Sequence, residues 1–156
     1  MVKMASALLY CPSGGGKTVN STRVLTRERG RNLLLCSDNS SIVLGNFDRP
    51  NLDIQTVKHW LNKDKTGVAQ KCFHDQFDSA VESKKYDNII VDNISDLFDM
   101  SILELKDSGK FNDNRQAYQA VYEGIKRLVR KAGQLDCDVI LTAWAEQQQI
   151  VLPTGE

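Results

Sequence analysis

The stretch LLYCPSGGGKTVN, residues 8–20, constrains the fold more than any other part of the chain. An apolar run enters three consecutive glycines, then a Lys-Thr pair, then a segment able to form a helix. Glycine reaches positive φ at little steric cost, so such a loop can turn successive backbone N–H groups toward one anion. The helix that follows adds the partial positive charge of its N-terminus. The end of the stretch matches G-x-x-x-x-G-K-[ST], the phosphate-binding loop, with Cys11 where the pattern has its first glycine. Cys11 falls at the strand end, away from the terminal phosphate, and a small side chain is tolerated there at negative φ. Ser13, Gly14, Gly15, Gly16, Lys17, Thr18 and Val19 are the expected nucleotide-binding set. Lys17 would reach the β- and γ-phosphates of ATP, and the Thr18 hydroxyl would ligate Mg²⁺. Two blander readings stand beside this one: a plain glycine turn, and a degenerate loop that binds without hydrolysis.

Phosphoryl chemistry also needs a carboxylate at the end of a neighbouring strand. YDNIIVDN supplies Asp92 after Ile89, Ile90 and Val91, in the Walker-B form. The competing role for Asp92 is to cap the helix that starts at Ile94. Many ATPases place a glutamate directly after this aspartate to polarise the attacking water, but here that residue is Asn93. Asp38, ending LLLCSD, and Glu146, following ILTAWA, are the candidate bases. Thr142 and Trp144 end the same late strand, where a γ-phosphate sensor would sit; Trp144 fits a core or interface position equally well.

Around these motifs the chain alternates two periodicities. Apolar runs at residues 5–10, 32–36, 88–92 and 138–143, with a weaker one at 52–57, read as strands of a parallel sheet buried on both faces. Helices are expected at 17–29, 73–84, 94–105 and 113–132. The last has Ala117, Val121, Ile125, Leu128 and Ala132 as its buried stripe and Gly133 as its C′ residue. Residues 62–70 and 106–114 are polar and read as loops, and QQQIVLPTGE as a strand entering a turn. Strands alternating with helices imply an α/β fold with right-handed crossovers in a single domain spanning residues 1–156.

The chain has 156 residues with 20 basic and 20 acidic side chains, so any nucleic-acid contact must come from a local patch. No apolar run approaches the roughly 20 residues of a membrane span. The four cysteines form no CxxC pair, and Cys72 and His74 are too close in sequence for a zinc half-site. Reduced thiols in a cytoplasmic protein, without a structural metal, are the expectation.

LLYCPSGGGKT, KKYDNIIVDNISDL, AYQAVYEGIKRLVRKAG and CDVILTAWAE occur in that order. Together they resemble the RecA-like P-loop ATPases of bacteriophages, AAA-type nucleotide-binding proteins of which some look like single-strand annealing recombinases. The resemblance covers nearly the whole chain. It implies that Lys17 and Thr18 serve as phosphate and Mg²⁺ ligands and Asp92 as the Walker-B acid. It puts Asp38 where the family has its catalytic glutamate, a departure that argues against fast hydrolysis. It makes Thr142 part of the polar sensor strand, lying between the phosphate-loop strand and the Walker-B strand. It also implies a C-terminally shortened core, single-stranded DNA as a partner, a homo-oligomer whose subunits complete one another's sites, and the host cytoplasm as location.

In that family, mobile loops contact single strands. Lys110 and Phe111, in KDSGKFNDN, pair a cation with an aromatic ring and are the candidate contacts; an ordinary solvated loop is the alternative. Lys126, Arg127, Arg130 and Lys131 form a basic cluster on the long helix, which a solvated helix face would also explain. ATP hydrolysis in DNA recombination or replication is the leading functional expectation. A small nucleotide kinase and a nucleotide-responsive assembly module with negligible turnover are the other two.

Overall fold

The structure is a computed structural model that describes residues 6–26, 30–37, 40–45, 51–57, 69–107 and 113–145. Five strands, β1 (Ser6–Cys11), β2 (Asn32–Cys36), β3 (Leu52–Thr56), β4 (Asn88–Asp92) and β5 (Asp138–Trp144), form one parallel sheet in the order β1-β5-β4-β2-β3. Helices α1 (Lys17–Thr26), α2 (Ala69–Glu82), α3 (Ile94–Asp107) and α4 (Asn114–Ala132) connect them, with a 3-10 helix at Ser40–Leu44. β5, which carries Thr142, separates β1, which leads into the glycine loop, from β4, which ends at Asp92, the strand order that the resemblance implies.

β2 and β4 are buried at every position, which is why the centre of each, Leu33–Leu35 and Ile89–Val91, reads as an apolar run. Register places like with like across the sheet. Leu33, Ile89 and Val139 are aligned, as are Leu35, Val91 and Leu141. These six face a large core with Phe73, Phe77, Leu97, Leu128 and Ala132 from α2, α3 and α4. Leu34, Ile90 and Ile140 alternate onto the other face, where a smaller cluster adds Cys36, Leu44 of the 3-10 helix and Val19 of α1.

Several boundaries differ from the sequence expectation. Ala69 and Gln70, expected in a loop, already belong to α2, because Ala-Gln-Lys is a strong helix-forming run. Lys106 and Asp107 extend α3, which narrows the expected 106–114 loop. Asn114 is helical, and Asp113 caps α4 by accepting from the Arg115 N–H at 2.9 Å. Gly133 follows α4 with φ −70°, so its left-handed freedom is unused. The left-handed residue at a helix end is instead Lys84, φ 49°, just beyond α2. α1 is described as helical through Thr26, and residues 27–29, expected within it, lie outside the described residues. So does the expected strand in residues 147–156. No helix among the described residues is long and apolar enough to cross a membrane.

Candidate functional site

The site lies at the C-terminal edge of the sheet, where β1, β4 and β5 end and α1 and α3 begin. Gly14 and Gly16 hold φ of 77° and 75°, a conformation that side chains rarely adopt. Gly15 does not share it. Its constraint is space, since a Cβ there would meet the Cys11 sulfur at 2.5 Å and the Pro12 carbonyl at 3.0 Å. Cys11 itself closes β1 without positive φ, so the missing first glycine leaves the loop's path intact. The thiol in its place packs over Gly15 and makes that glycine necessary.

Lys17 is buried to 7% exposure, and its ammonium donates to the Cys11 carbonyl at 2.9 Å and the Pro12 carbonyl at 3.1 Å. Both partners are uncharged acceptors of the loop itself, which an anion seated in the loop can replace. One residue on, the Thr18 hydroxyl donates to Asp92 Oδ2 at 2.5 Å. From the far side, the Thr142 hydroxyl donates to Asp92 Oδ1 at 2.5 Å. Asp92 is 1% exposed, so the line Thr18–Asp92–Thr142 ties α1, β4 and β5 together at the floor of the site.

The alternative role of Asp92 as a helix cap goes to its neighbour. The Asn93 side-chain oxygen accepts from the Asp96 N–H at 2.7 Å and starts α3. The Asn93 N–H donates to the Ser37 hydroxyl at 3.0 Å, and the Asp92–Asn93 peptide is cis. Asn93 therefore anchors two backbones, and Asp92 is left to face the loop. The Ser37 N–H donates to the Asp92 carbonyl at 2.8 Å, so β2 reaches the same edge. Trp144 is fixed by its N–H donating to the Ser95 hydroxyl of α3 at 2.9 Å.

These groups surround a cavity of about 410 Å³, in the range of small-molecule sites. Ser13, Gly14, Gly16, Lys17, Thr18 and Val19 line it, whereas Gly15 does not. Asp92 and Asn93 form its floor. Thr142 stays behind Asp92 and reaches the cavity only through that carboxylate. Val43 and Trp144 add apolar walls. Val43 was not foreseen from sequence; the apolar SSIVL stretch after β2 was the available signal. Asp38, Glu146, Lys110 and Phe111 lie outside the described residues. Ser37 and Ala145, their neighbours for the first two, are both at this edge: the Ala145 N–H donates to the Cys11 carbonyl at 3.1 Å.

The donors present fit a nucleotide phosphate with a divalent cation. Two positive-φ glycines open the loop backbone, and an ammonium waits on neutral acceptors. A hydroxyl that gives its proton to Asp92 keeps its oxygen lone pairs for a cation. Sheet order, loop and carboxylate together define a RecA-like P-loop nucleotide-binding fold. The family model described as an AAA domain matches residues 3–156, and the chain belongs to that family of P-loop ATPase-like proteins. A search of curated proteins finds no match to it.

Proposed function

We propose that the chain binds ATP with Mg²⁺ and hydrolyses it, slowly by itself, as a phage-type RecA-like protein of DNA recombination or replication that acts on single-stranded DNA as a homo-oligomer. The observation that carries the nucleotide part is the hydroxyl–carboxylate–hydroxyl line Thr18–Asp92–Thr142 under a loop whose lysine rests on neutral carbonyls. The cation, when bound, would neutralise charge that develops on the phosphate oxygens. Ser13, Gly14 and Gly16 shape the cradle, with Gly15 allowing its tight path beside Cys11. Lys17 would exchange its two carbonyl acceptors for β- and γ-phosphate oxygens. Thr18 and Asp92 would hold the cation, and Thr142 would keep the Asp92 carboxylate in one orientation. Asp38, the residue that follows Ser37 in sequence, is the proposed base that orients the attacking water; Glu146 is the second choice. Lys110 and Phe111, between α3 and α4, remain the proposed loop contact to DNA.

Phosphate release from Mg-ATP, with and without single-stranded DNA, tests this reading. Asp38→Asn is expected to lower turnover by the roughly 10²–10⁴-fold typical of losing a general base, with ATP binding retained. Asp92→Asn should lower Mg²⁺-dependent turnover more than nucleotide affinity. Phosphoryl transfer to a nucleoside or nucleotide, in place of release to water, would replace the ATPase by a kinase. Tight ATP binding with no release would leave an assembly module.

A further inference from the structure

The long helix α4 has more on its surface than its packing uses. Ala117, Val121, Leu128 and Ala132 are its buried residues and account for its seat on the fold. Tyr118 and Tyr122 are nevertheless 47% and 55% exposed, two aromatic rings one turn apart on the outer side of the helix. At 3.6 residues per turn, Arg115, Tyr118, Tyr122, Lys126 and Arg130 fall within about 60° of one line along the helix. No acidic residue stands inside that stripe; Glu123 sits at its margin and pairs with Lys126 at 3.6 Å. The chain as a whole carries no net charge, so this is a local concentration of cations.

Each ring already carries a cation. The Lys106 ammonium of α3 lies 5.5 Å from the Tyr118 centroid, and that of Lys126 lies 5.6 Å from the Tyr122 centroid. Phe98 supports Tyr118 with ring centroids 6.1 Å apart, so that ring is held in place before anything binds. Aromatic faces interleaved with ammonium groups are the two elements that single strands require, stacking for the bases and charge for the phosphates. A second copy meeting the same face would bring cation against cation, which disfavours a symmetric protein contact.

We propose that the exposed face of α4 binds single-stranded nucleic acid, with Tyr118 and Tyr122 as stacking platforms and Arg115, Lys126 and Arg130 as phosphate contacts. This rests on reading the chain as acting on single strands, and extends it from Lys110 and Phe111 to the helix α4. On binding, Lys106 and Lys126 move from ring face to phosphate while bases take their places.

Fluorescence anisotropy of a labelled oligothymidylate, titrated with the full chain without nucleotide at several salt concentrations, tests the assignment. Tyr118→Leu/Tyr122→Leu keeps helix-forming apolar bulk and should weaken binding by roughly 5- to 150-fold for each stacked base, with the salt slope unchanged. Arg115→Gln/Arg130→Gln should make the logarithmic salt dependence shallower by about 1.4, at about 0.7 per phosphate contact. Both variants should keep wild-type affinity for a fluorescent ATP analogue, since neither touches the cavity. Because the oligonucleotide titration omits nucleotide, a failed ATP reading would leave it unaffected. The proposal is overturned if the wild type does not bind, or if both variants bind like it. It is equally overturned if the variants change only the oligomeric state in size-exclusion chromatography, which would make the face a protein interface.

Discussion

The two faces of the sheet are covered unequally. Among the described residues, one face holds a core of 13 buried residues under α2, α3 and α4; the other holds a cluster of five under α1 and the 3-10 helix. Among the described residues, the polar groups of the candidate site come from the glycine loop, the ends of β1, β2, β4 and β5, and the starts of α1 and α3, at the edge where the two faces meet. The thick face has enough apolar burial to fix the strands, so the loop can keep backbone groups and an ammonium available for a ligand. Stability and chemistry are therefore separable in this molecule, and substitutions on each side should show it.

Phe77 is fully buried and stacks on Phe73 with centroids 6.4 Å apart. Phe77→Ala should lower unfolding free energy by about 3–5 kcal/mol, read as a lower urea midpoint. Nucleotide affinity of the molecules that remain folded should not change. A parallel fall in affinity under folding conditions would show that the faces are coupled.

Lys17→Ala makes the opposite cut. Removing one partner of a desolvated charge pair costs about 2–5 kcal/mol, so ATP affinity measured by calorimetry should drop roughly 30- to 5,000-fold. The urea midpoint should stay close to wild type, because the carbonyls released belong to a largely exposed loop. Lys17→Met, which keeps most of the buried stem, separates loss of charge from loss of packing.

Thr142→Val probes the junction of the two regions. It removes one of the hydroxyl donors to the buried Asp92 carboxylate without changing side-chain shape. Unfolding free energy should fall by about 1–3 kcal/mol, and the Mg²⁺ concentration needed for half-maximal turnover should rise. Unchanged Mg²⁺ dependence with lowered stability would restrict Thr142 to a structural role.

The smallest effect belongs to His74 on α2. Burial pushes its pKa below the usual imidazole value, against a partial upward pull from Asp78, with Lys131 and Arg127 adding to the depression. The folded protein thus binds this proton less readily than the unfolded chain. Stability contributed by neutral His74 is present above the ordinary value of 6.5 and is lost as pH falls below it toward the folded value. Urea midpoints measured from pH 7.5 to 5 should decline, and His74→Gln should flatten that decline while leaving ATP affinity at pH 7.5 unaltered.

Much of this arrangement was legible because the signals were local. β2 and β4 were bounded correctly, since a strand buried on both faces is apolar through its centre, as in Leu33–Leu35 and Ile89–Val91, with polar residues only at its ends. The phosphate loop announced itself because few residues besides glycine can follow its path. Helix ends were read less well: the polar runs around Ala69 and Lys106 hid helix-forming residues, and helix propensity carried α2 and α3 past the expected limits. Gly133 looked like a left-handed cap, yet the chain leaves α4 at φ −70°.

The sequence by itself determined the alternation of strand and helix, the path of the loop and the identities of Lys17, Thr18 and Asp92. These follow from backbone sterics, apolar periodicity and the chemistry of a few side chains, all of which act over short spans. Only the tertiary structure decided that Asn93 and not Asp92 caps α3, that Cys11 fills the space over Gly15, and that Thr142 addresses Asp92 instead of the cavity. It also decided that Tyr118 and Tyr122 remain exposed under lysines. Each of these depends on which atoms meet across the sheet or between helices. A hydroxyl 50 residues from its carboxylate carries no local mark of that pairing.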